Sequence, residues 1–226
     1  GDHRIAEQHG IGAGGEIIGF IALFVRGVLI IKSGCSGEVS AGGKTADGDV
    51  VRANAQAWKV DPDNIAVCGF SAGGHLAGTS GLYYQDTTHK EGDEADNFSA
   101  RPDAMLLCYP VIAATEEYSH RGSANNLLGI DAPQDARAKM DLHKAVTEDT
   151  PPAFVWHTAT DQVVPVANAR AFADAMWAKE RICELHIFPQ GPHGRGLGLG
   201  CYALSQWTAL AANFLDVTLH FPRGRR

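Results

Sequence analysis

Ile65-Ala66-Val67-Cys68-Gly69-Phe70-Ser71-Ala72-Gly73-Gly74-His75-Leu76-Ala77 is the stretch on which the reading of this chain turns. It opens with a short apolar run of the length and composition of a buried strand. It then passes through a sharp Gly-Phe-Ser-Ala-Gly turn into small and apolar residues that suit a helix. Gly69-Phe70-Ser71-Ala72-Gly73 fits G-x-S-x-G, the nucleophile elbow, and has the strand before and helix after that the motif requires. So tight a turn strains the backbone at the serine, and side chains two residues to either side would collide. The hydroxyl is left exposed at the end of the strand. The free N–H groups and positive dipole end of the following helix point at the same spot, which suits a developing oxyanion. The competing reading is a glycine-rich strand–helix turn holding an ordinary serine.

Outward from the elbow, strand-like and helix-like runs alternate. This favours an α/β fold with a mostly parallel central sheet and helices on both faces. Residues 4–9 read as a short strand, Gly10-Ile11-Gly12-Ala13-Gly14-Gly15 as a glycine loop, and residues 16–26 as a helix. Val28-Leu29-Ile30-Ile31 reads as a buried strand, residues 33–46 as irregular, and 47–58 as a helix. Asp61-Pro62-Asp63-Asn64 is a turn. The helix after the elbow runs to about Tyr84, and the acidic residues 85–102 form a surface loop. Further strands are expected at 104–109, 153–157 and 184–188, and helices at 167–180 and 203–217. Residues 111–150 are irregular, with short helical pieces and no strand, and are a candidate cap inserted between strands. No linker interrupts the pattern, so residues 1–226 are read as a single domain.

The chain has 226 residues, 45% of them apolar and 20% charged, which is enough for a sizeable core. The net charge is −7, and the only arginine cluster is the terminal Arg223-Gly224-Arg225-Arg226, so nothing points to nucleic acid. Asp2, His3, Arg4, Glu7 and Gln8 leave no apolar core for a signal peptide. The segment from Ile17 to Ile31 is too short and too interrupted by Arg26 and Gly27 to span a bilayer. Five cysteines without a C-x-x-C pair argue against a zinc site or a disulfide framework. A pairing of Cys183 with Cys201 stays open, and a reducing, cytoplasmic setting is the expectation.

A serine alcohol is a poor nucleophile at neutral pH. It needs a histidine to take its proton and an acid to hold that histidine in the right tautomer. The chain offers both in the order Ser…Asp…His. Asp161 follows the strand at 153–157 and His193 the strand at 184–188. In an open parallel sheet, groups just past strand C-termini gather at one edge. Asp161 has the alternative role of capping the helix near 167, and His193 that of a loop histidine without a task. His75 sits in the elbow helix, His157 and His186 lie within strands, and His120 belongs to the 111–150 insertion, so they compete less well. Asp149 and Asp174 are also poorly placed. The oxyanion donors are expected to be the N–H of Ala72 and a glycine-loop N–H, from Gly14 or Gly15.

At this point residues 61 to about 199 resemble the α/β-hydrolase superfamily. Within it they are similar to the acetyl-esterase and acetylxylan-esterase-like branch, relatives of kynurenine formamidase. The resemblance is carried by Asp61 through Leu76, Leu107-Cys108-Tyr109-Pro110-Val111-Ile112, His120-Arg121-Gly122-Ser123 with Asn126-Leu127-Leu128-Gly129, Thr150 through Pro165, and His186 through Gly194. It implies the triad Ser71, Asp161 and His193, hydrolysis of short acyl esters, often acetyl groups on sugars, and no cofactor or metal. Tyr118, His120 and Arg121 are the candidate substrate-binding residues on the insertion. Residues 1–60 match the family poorly, with N-terminal strands that are short or missing. Amide or peptide hydrolysis by the same groups remains open, as does a non-catalytic binding module on this fold. Gly10–Gly15 also fits G-x-G-x-x-G of a dinucleotide site. Gly37 to Thr45 has one residue too many between its first glycine and Gly43-Lys44-Thr45 for P-loop spacing.

Overall fold

Two short strands open the chain. In the computed structural model, which describes residues 4–8, 20–24, 28–31, 48–86, 92 and 94–219, β1 (Arg4–Gln8) and β2 (Phe20–Phe24) pair antiparallel. The helix expected over 16–26 is therefore corrected: Phe20-Ile21-Ala22-Leu23-Phe24 is a strand. A short apolar run has no decisive periodicity, and pairing with a second strand settles its state. The Gly10–Gly15 loop, with Gly14 and Gly15, lies outside the described residues, as do Cys35 and the Gly37–Thr45 segment.

The five apolar runs that follow form one parallel sheet in chain order. They are β3 (Val28–Ile31), β4 (Ala66–Phe70), β5 (Ala104–Cys108), β6 (Ala153–Thr158) and β7 (Cys183–Phe188). Alternate side chains of the central strands feed two cores. Val67, Met105, Leu107 and Val155 face one side, and Cys68, Leu106, Cys108, Phe154 and Trp156 face the other. Burial on both faces is why these strands read as continuous apolar runs.

Helices cover both faces. On the first lie α1 (Gly48–Ala53), α3 (Ala72–Leu82) and α6 (Ala167–Ala178). Between α1 and α3 runs the single-turn α2 (Ala55–Trp58). The helix expected over 47–58 is broken at Asn54, whose side-chain amide donates back to Val50 O at 2.8 Å. Helix α6 buries Ala169, Phe172, Ala173 and Met176, the i, i+3, i+4, i+7 stripe of an amphipathic helix. The second face is closed by α7 (Tyr202–Thr218) through Leu204, Trp207, Ala211, Phe214 and Leu215; between α3 and α6 come α4 (Arg121–Leu128) and α5 (Gln134–Ala138).

The last two belong to the 111–150 insertion, which has no strand. Two buried polar side chains fasten it. The Asp141 carboxylate accepts the N–H groups of Ala114 at 2.7 Å and Thr115 at 3.0 Å, the Thr115 hydroxyl, and Lys144 Nζ at 2.9 Å. Burial pushes this carboxyl up, but the donors outweigh it and hold it below the usual carboxylate range. Asn168 Oδ1 accepts from the N–H groups of Ile112 and Ala113 at 2.9 and 3.1 Å. Its Nδ2 donates to the carbonyls of Tyr118 and Pro165 at 2.9 and 3.0 Å. Cys68, Cys108, Cys183 and Cys201 are free thiols, so Cys183 and Cys201 do not pair. Among the described residues no helix is long and apolar enough to cross a membrane.

Phe172 is fully buried between α6 and the sheet. Phe172→Ala is expected to lower unfolding stability by about 3–5 kcal/mol, read as a lower urea midpoint with an unchanged slope.

Candidate active site

Strand β4 ends on Phe70, and Ser71 turns the chain with φ 55° and ψ −119°. A non-glycine residue in this region carries strain of order 1–3 kcal/mol and persists only where neighbours over-determine it. Ser71 has such neighbours. Its N–H donates to Cys108 O at 2.9 Å, and its carbonyl accepts from Gly74, His75 and Val111 at 3.0, 3.3 and 3.1 Å. A Cβ on Gly69 would stand 1.9 Å from the carbonyl oxygen of Gly73, so only hydrogen fits there. Ala72 opens α3 beside the serine, in the first turn, where an N–H has no intrahelical acceptor.

Asp161 lies three residues beyond β6, with its side chain 1% exposed. One carboxylate oxygen accepts the N–H groups of Val163 and Val164 at 2.9 and 3.0 Å. The other lies 2.6 Å from His193 Nδ1. Asp161 does not cap α6: the residue before that helix is Val166, and no side chain caps it. Burial pushes the Asp161 carboxyl up, but the His193 and backbone donors more than offset this and hold it below its ordinary value.

His193 stands five residues beyond β7, with its Nε2 2.7 Å from Ser71 Oγ. A carboxylate only accepts, so Nδ1 carries the hydrogen and Nε2 is left to accept from the serine hydroxyl. Sequence reasoning named these three residues but missed what holds the histidine. Tyr109, at φ 38° where β5 ends, sets its ring edge-on to the imidazole at 4.9 Å. The Tyr109 hydroxyl accepts from Gly196 N–H at 2.8 Å, and the Trp207 indole N–H donates to Gly196 O at 3.0 Å. The Thr158 hydroxyl donates to Gly191 O at 2.7 Å, and a Cβ on Gly191 would meet Thr158 Cγ2 at 2.8 Å. In the sequence Tyr109 and Trp207 carry the same signal as any buried aromatic, and only their polar tips set them apart.

The other candidates lie apart from this line. The His120 Nδ1 accepts the Ser123 N–H at 3.2 Å and so caps α4. Burial and the charge of His193 push its pKa down, while Asp161 pulls it up, so it stands within electrostatic reach of the other two. Arg121 is the first residue of α4 and is exposed, and Tyr118 is held through its carbonyl by Asn168. None of the three is hydrogen-bonded to Ser71, Asp161 or His193. An open trench of about 620 Å³ instead runs from His193 between the two loops, lined by Thr160, Gln162, Val163, Gln190 and Pro192.

The family profile BD-FAE matches residues 49–176, more than half of the chain. This chain belongs to the BD-FAE family. The BD-FAE chain is 38% identical over 144 residues to endo-1,4-beta-xylanase B of Butyrivibrio fibrisolvens, a match spanning 64% of this chain and 22% of that protein. It is 33% identical over 153 residues to an acetylxylan esterase of Xylanibacter ruminicola, spanning 66% of this chain and 29% of the relative. It thus spans less than a third of the length of these curated relatives. Among solved structures, it is 39% identical to an acetyl ester-xyloside bifunctional hydrolase from Caldicellulosiruptor lactoaceticus, with a TM-score of 0.71 over 75% of this chain and 62% of that one. The carboxylesterase Cest-2923 of Lactobacillus plantarum, 21% identical, shares the fold over 98% of this chain and 100% of its own, at a TM-score of 0.69. The sheet, its helices and these neighbours make the expected α/β-hydrolase fold the observed one.

His75, next to the elbow, donates from Nδ1 to Val111 O at 3.1 Å, and burial lowers its pKa to about 4. The folded BD-FAE chain thus refuses a proton that the unfolded chain accepts near 6.5. Stability contributed here is present above that pH and is lost as pH falls toward 4. His75→Asn keeps a donor at the same position but cannot titrate. Urea midpoints compared at pH 7 and 5 are expected to fall less for His75→Asn than for the unsubstituted protein.

Proposed function

We propose that this BD-FAE chain is a serine esterase that cleaves short-chain carboxylic esters, acetyl esters of sugars or xylan foremost, through an acyl-enzyme. One observation carries the reading: an unbroken proton path from Ser71 Oγ to His193 Nε2 at 2.7 Å and from His193 Nδ1 to Asp161 at 2.6 Å. Along it, Ser71 attacks the ester carbonyl as His193 takes its proton. Asp161 orients His193 and stabilises its charged form. The Ala72 N–H, with a second donor from the Gly14–Gly15 region, receives the oxyanion. His193 then returns the proton to the departing alcohol, and water repeats the sequence on the acyl-serine to release the acid.

The alcohol must leave within reach of His193 Nε2, so a groove bordered by that ring is where it lies. The trench fits a neutral, polyhydroxylated alcohol. Its lining holds no carboxylate, lysine or arginine, only the His193 ring and the Cys201 thiol as titratable groups; it offers the carboxamides of Gln162 and Gln190, and it is open enough for a chain to pass. The acetyl preference is supported by the names of two relatives, the acetylxylan esterase and the acetyl ester-xyloside hydrolase. Tyr118, His120 and Arg121 form the opposite wall of the substrate site in this reading. The same groups can cleave amides, so aryl amides belong in the assay beside p-nitrophenyl acetate, p-nitrophenyl butyrate and acetylated xylan.

Ser71→Ala is expected to lose about 10⁴-fold or more in kcat while its circular dichroism spectrum stays unchanged. A fluorophosphonate should label Ser71 in the unsubstituted protein and nothing in Ser71→Ala. Retained turnover in Ser71→Ala, or amides cleaved faster than esters, would sink the proposal. Gln190→Ala is expected to raise KM on acetylated xylo-oligosaccharide several-fold, the effect of losing one hydrogen bond of about 1 kcal/mol, and to leave p-nitrophenyl acetate hydrolysis unchanged.

A further inference from the structure

We infer that His157 is a positioning residue for Asp161, holding the carboxylate in line with His193 through a shared Nε2–H. The inference rests on the triad reading above. His157 lies in β6, four residues before the acid, and is fully buried. Its Nε2 is 2.8 Å from Val164 O and 3.3 Å from Asp161 Oδ2. A carbonyl only accepts, so the hydrogen is on Nε2. That hydrogen is donated to the carbonyl, and Nε2 also lies 3.3 Å from the same carboxylate oxygen that His193 holds at 2.6 Å. Nδ1 is then a bare acceptor, buried and without a partner among the described residues. A leucine would fill the space but take away the donor to the buried Val164 carbonyl, so apolar packing alone does not explain an imidazole here.

Both histidines approach one oxygen, and they are not equivalent. His157 is 0% exposed in its side chain and His193 15%. Burial lowers the pKa of His157, with Val164 and Asp161 pulling against it and the charge of His193 adding to it. Burial therefore disfavours a cation at His157, which approaches Asp161 as a neutral donor. A cation at His157 would instead quench the carboxylate that His193 relies on. The titratable groups around the pair are Asp161, His193 and, from the head of α4, His120. His186, on β7, is engaged with Glu184 at 2.6 Å.

Because the His157 hydrogen withdraws charge from Oδ2, its removal raises the proton affinity of the Asp161–His193 pair. His157→Leu is expected to lower kcat about 10-fold on p-nitrophenyl acetate with KM unchanged. The acidic limb of its kcat/KM profile should move to higher pH. His157→Gln places an amide N–H near the Nε2 position and should return the limb toward that of the unsubstituted protein; His157→Asn, too short to reach, should not. Should His157→Leu fail to fold, Gln against Asn decides: distinct acidic limbs support the inference, and coincident ones overturn it. A His157→Leu protein with a lower Tm but unaltered kcat and limb also overturns it, leaving His157 as a partner for Val164 alone. Fluorophosphonate labelling separates the two levels. Loss of labelling in Ser71→Ala with unmoved limbs in the His157 series refutes only the role of His157; labelling that persists in Ser71→Ala refutes the triad and this inference together.

Discussion

Two hydrogen bonds, 2.6 and 2.7 Å long, join residues 32 and 122 positions apart in the chain. Such contacts tolerate little displacement, because a hydrogen bond weakens steeply as it bends and lengthens. Three loops must therefore be held to a fraction of an ångström at one edge of the sheet. The parallel register supplies the first level of control. Phe70 is paired with Cys108, and Trp156 with both Cys108 and His186, so the strands deliver their C-termini to a common rim.

The second level is local. Ser71 is pinned in an unfavourable conformation by backbone bonds from β5 and α3, and the bare Gly69 gives the turn its room. The His193 loop is fixed by Tyr109 and Trp207, which engage the N–H and the carbonyl of the same residue, Gly196. Asn168 ties the start of the insertion to Pro165, near the acid, and Asp141 fastens the insertion to itself. These anchors are polar groups inside an apolar protein. Each is matched by several partners, which is what makes such burial tolerable.

Burial also sorts the histidines. His75 and His157 lie deep and are kept neutral. His120 spends its Nδ1 on a helix cap. His193, partly exposed and bonded to a buried carboxylate, is the one whose two nitrogens face an acid and a hydroxyl. Solvent exposure and hydrogen-bond partners, not residue type, divide these roles. The trench beside His193 extends the same logic outward, since one wall of it is the loop that carries His193 and the other is the loop that carries Asp161.

Much of this was legible in the sequence. The G-x-S-x-G turn between an apolar run and a small-residue helix, and an aspartate and a histidine each just past a later strand, single out Ser71, Asp161 and His193, the three side chains that the structure joins by hydrogen bonds. The later strand-like runs and the stripe of α6 follow from apolar run length and periodicity. Residues 20–24 were misread because five apolar residues suit a helix or a strand equally until a partner is found. Tyr109, His157, Asn168 and Trp207 could not be told from ordinary core residues. Tyr109 and Trp207 are aromatic bodies, His157 is a strand member and Asn168 lies on the buried face of α6, and their work is done by polar atoms reaching residues mostly distant in the chain. The chain's local pattern determines which elements form and which chemistry their ends can carry; only the packed sheet decides which polar atoms come within hydrogen-bond range, because distance in space is set by register and packing and not by spacing along the sequence.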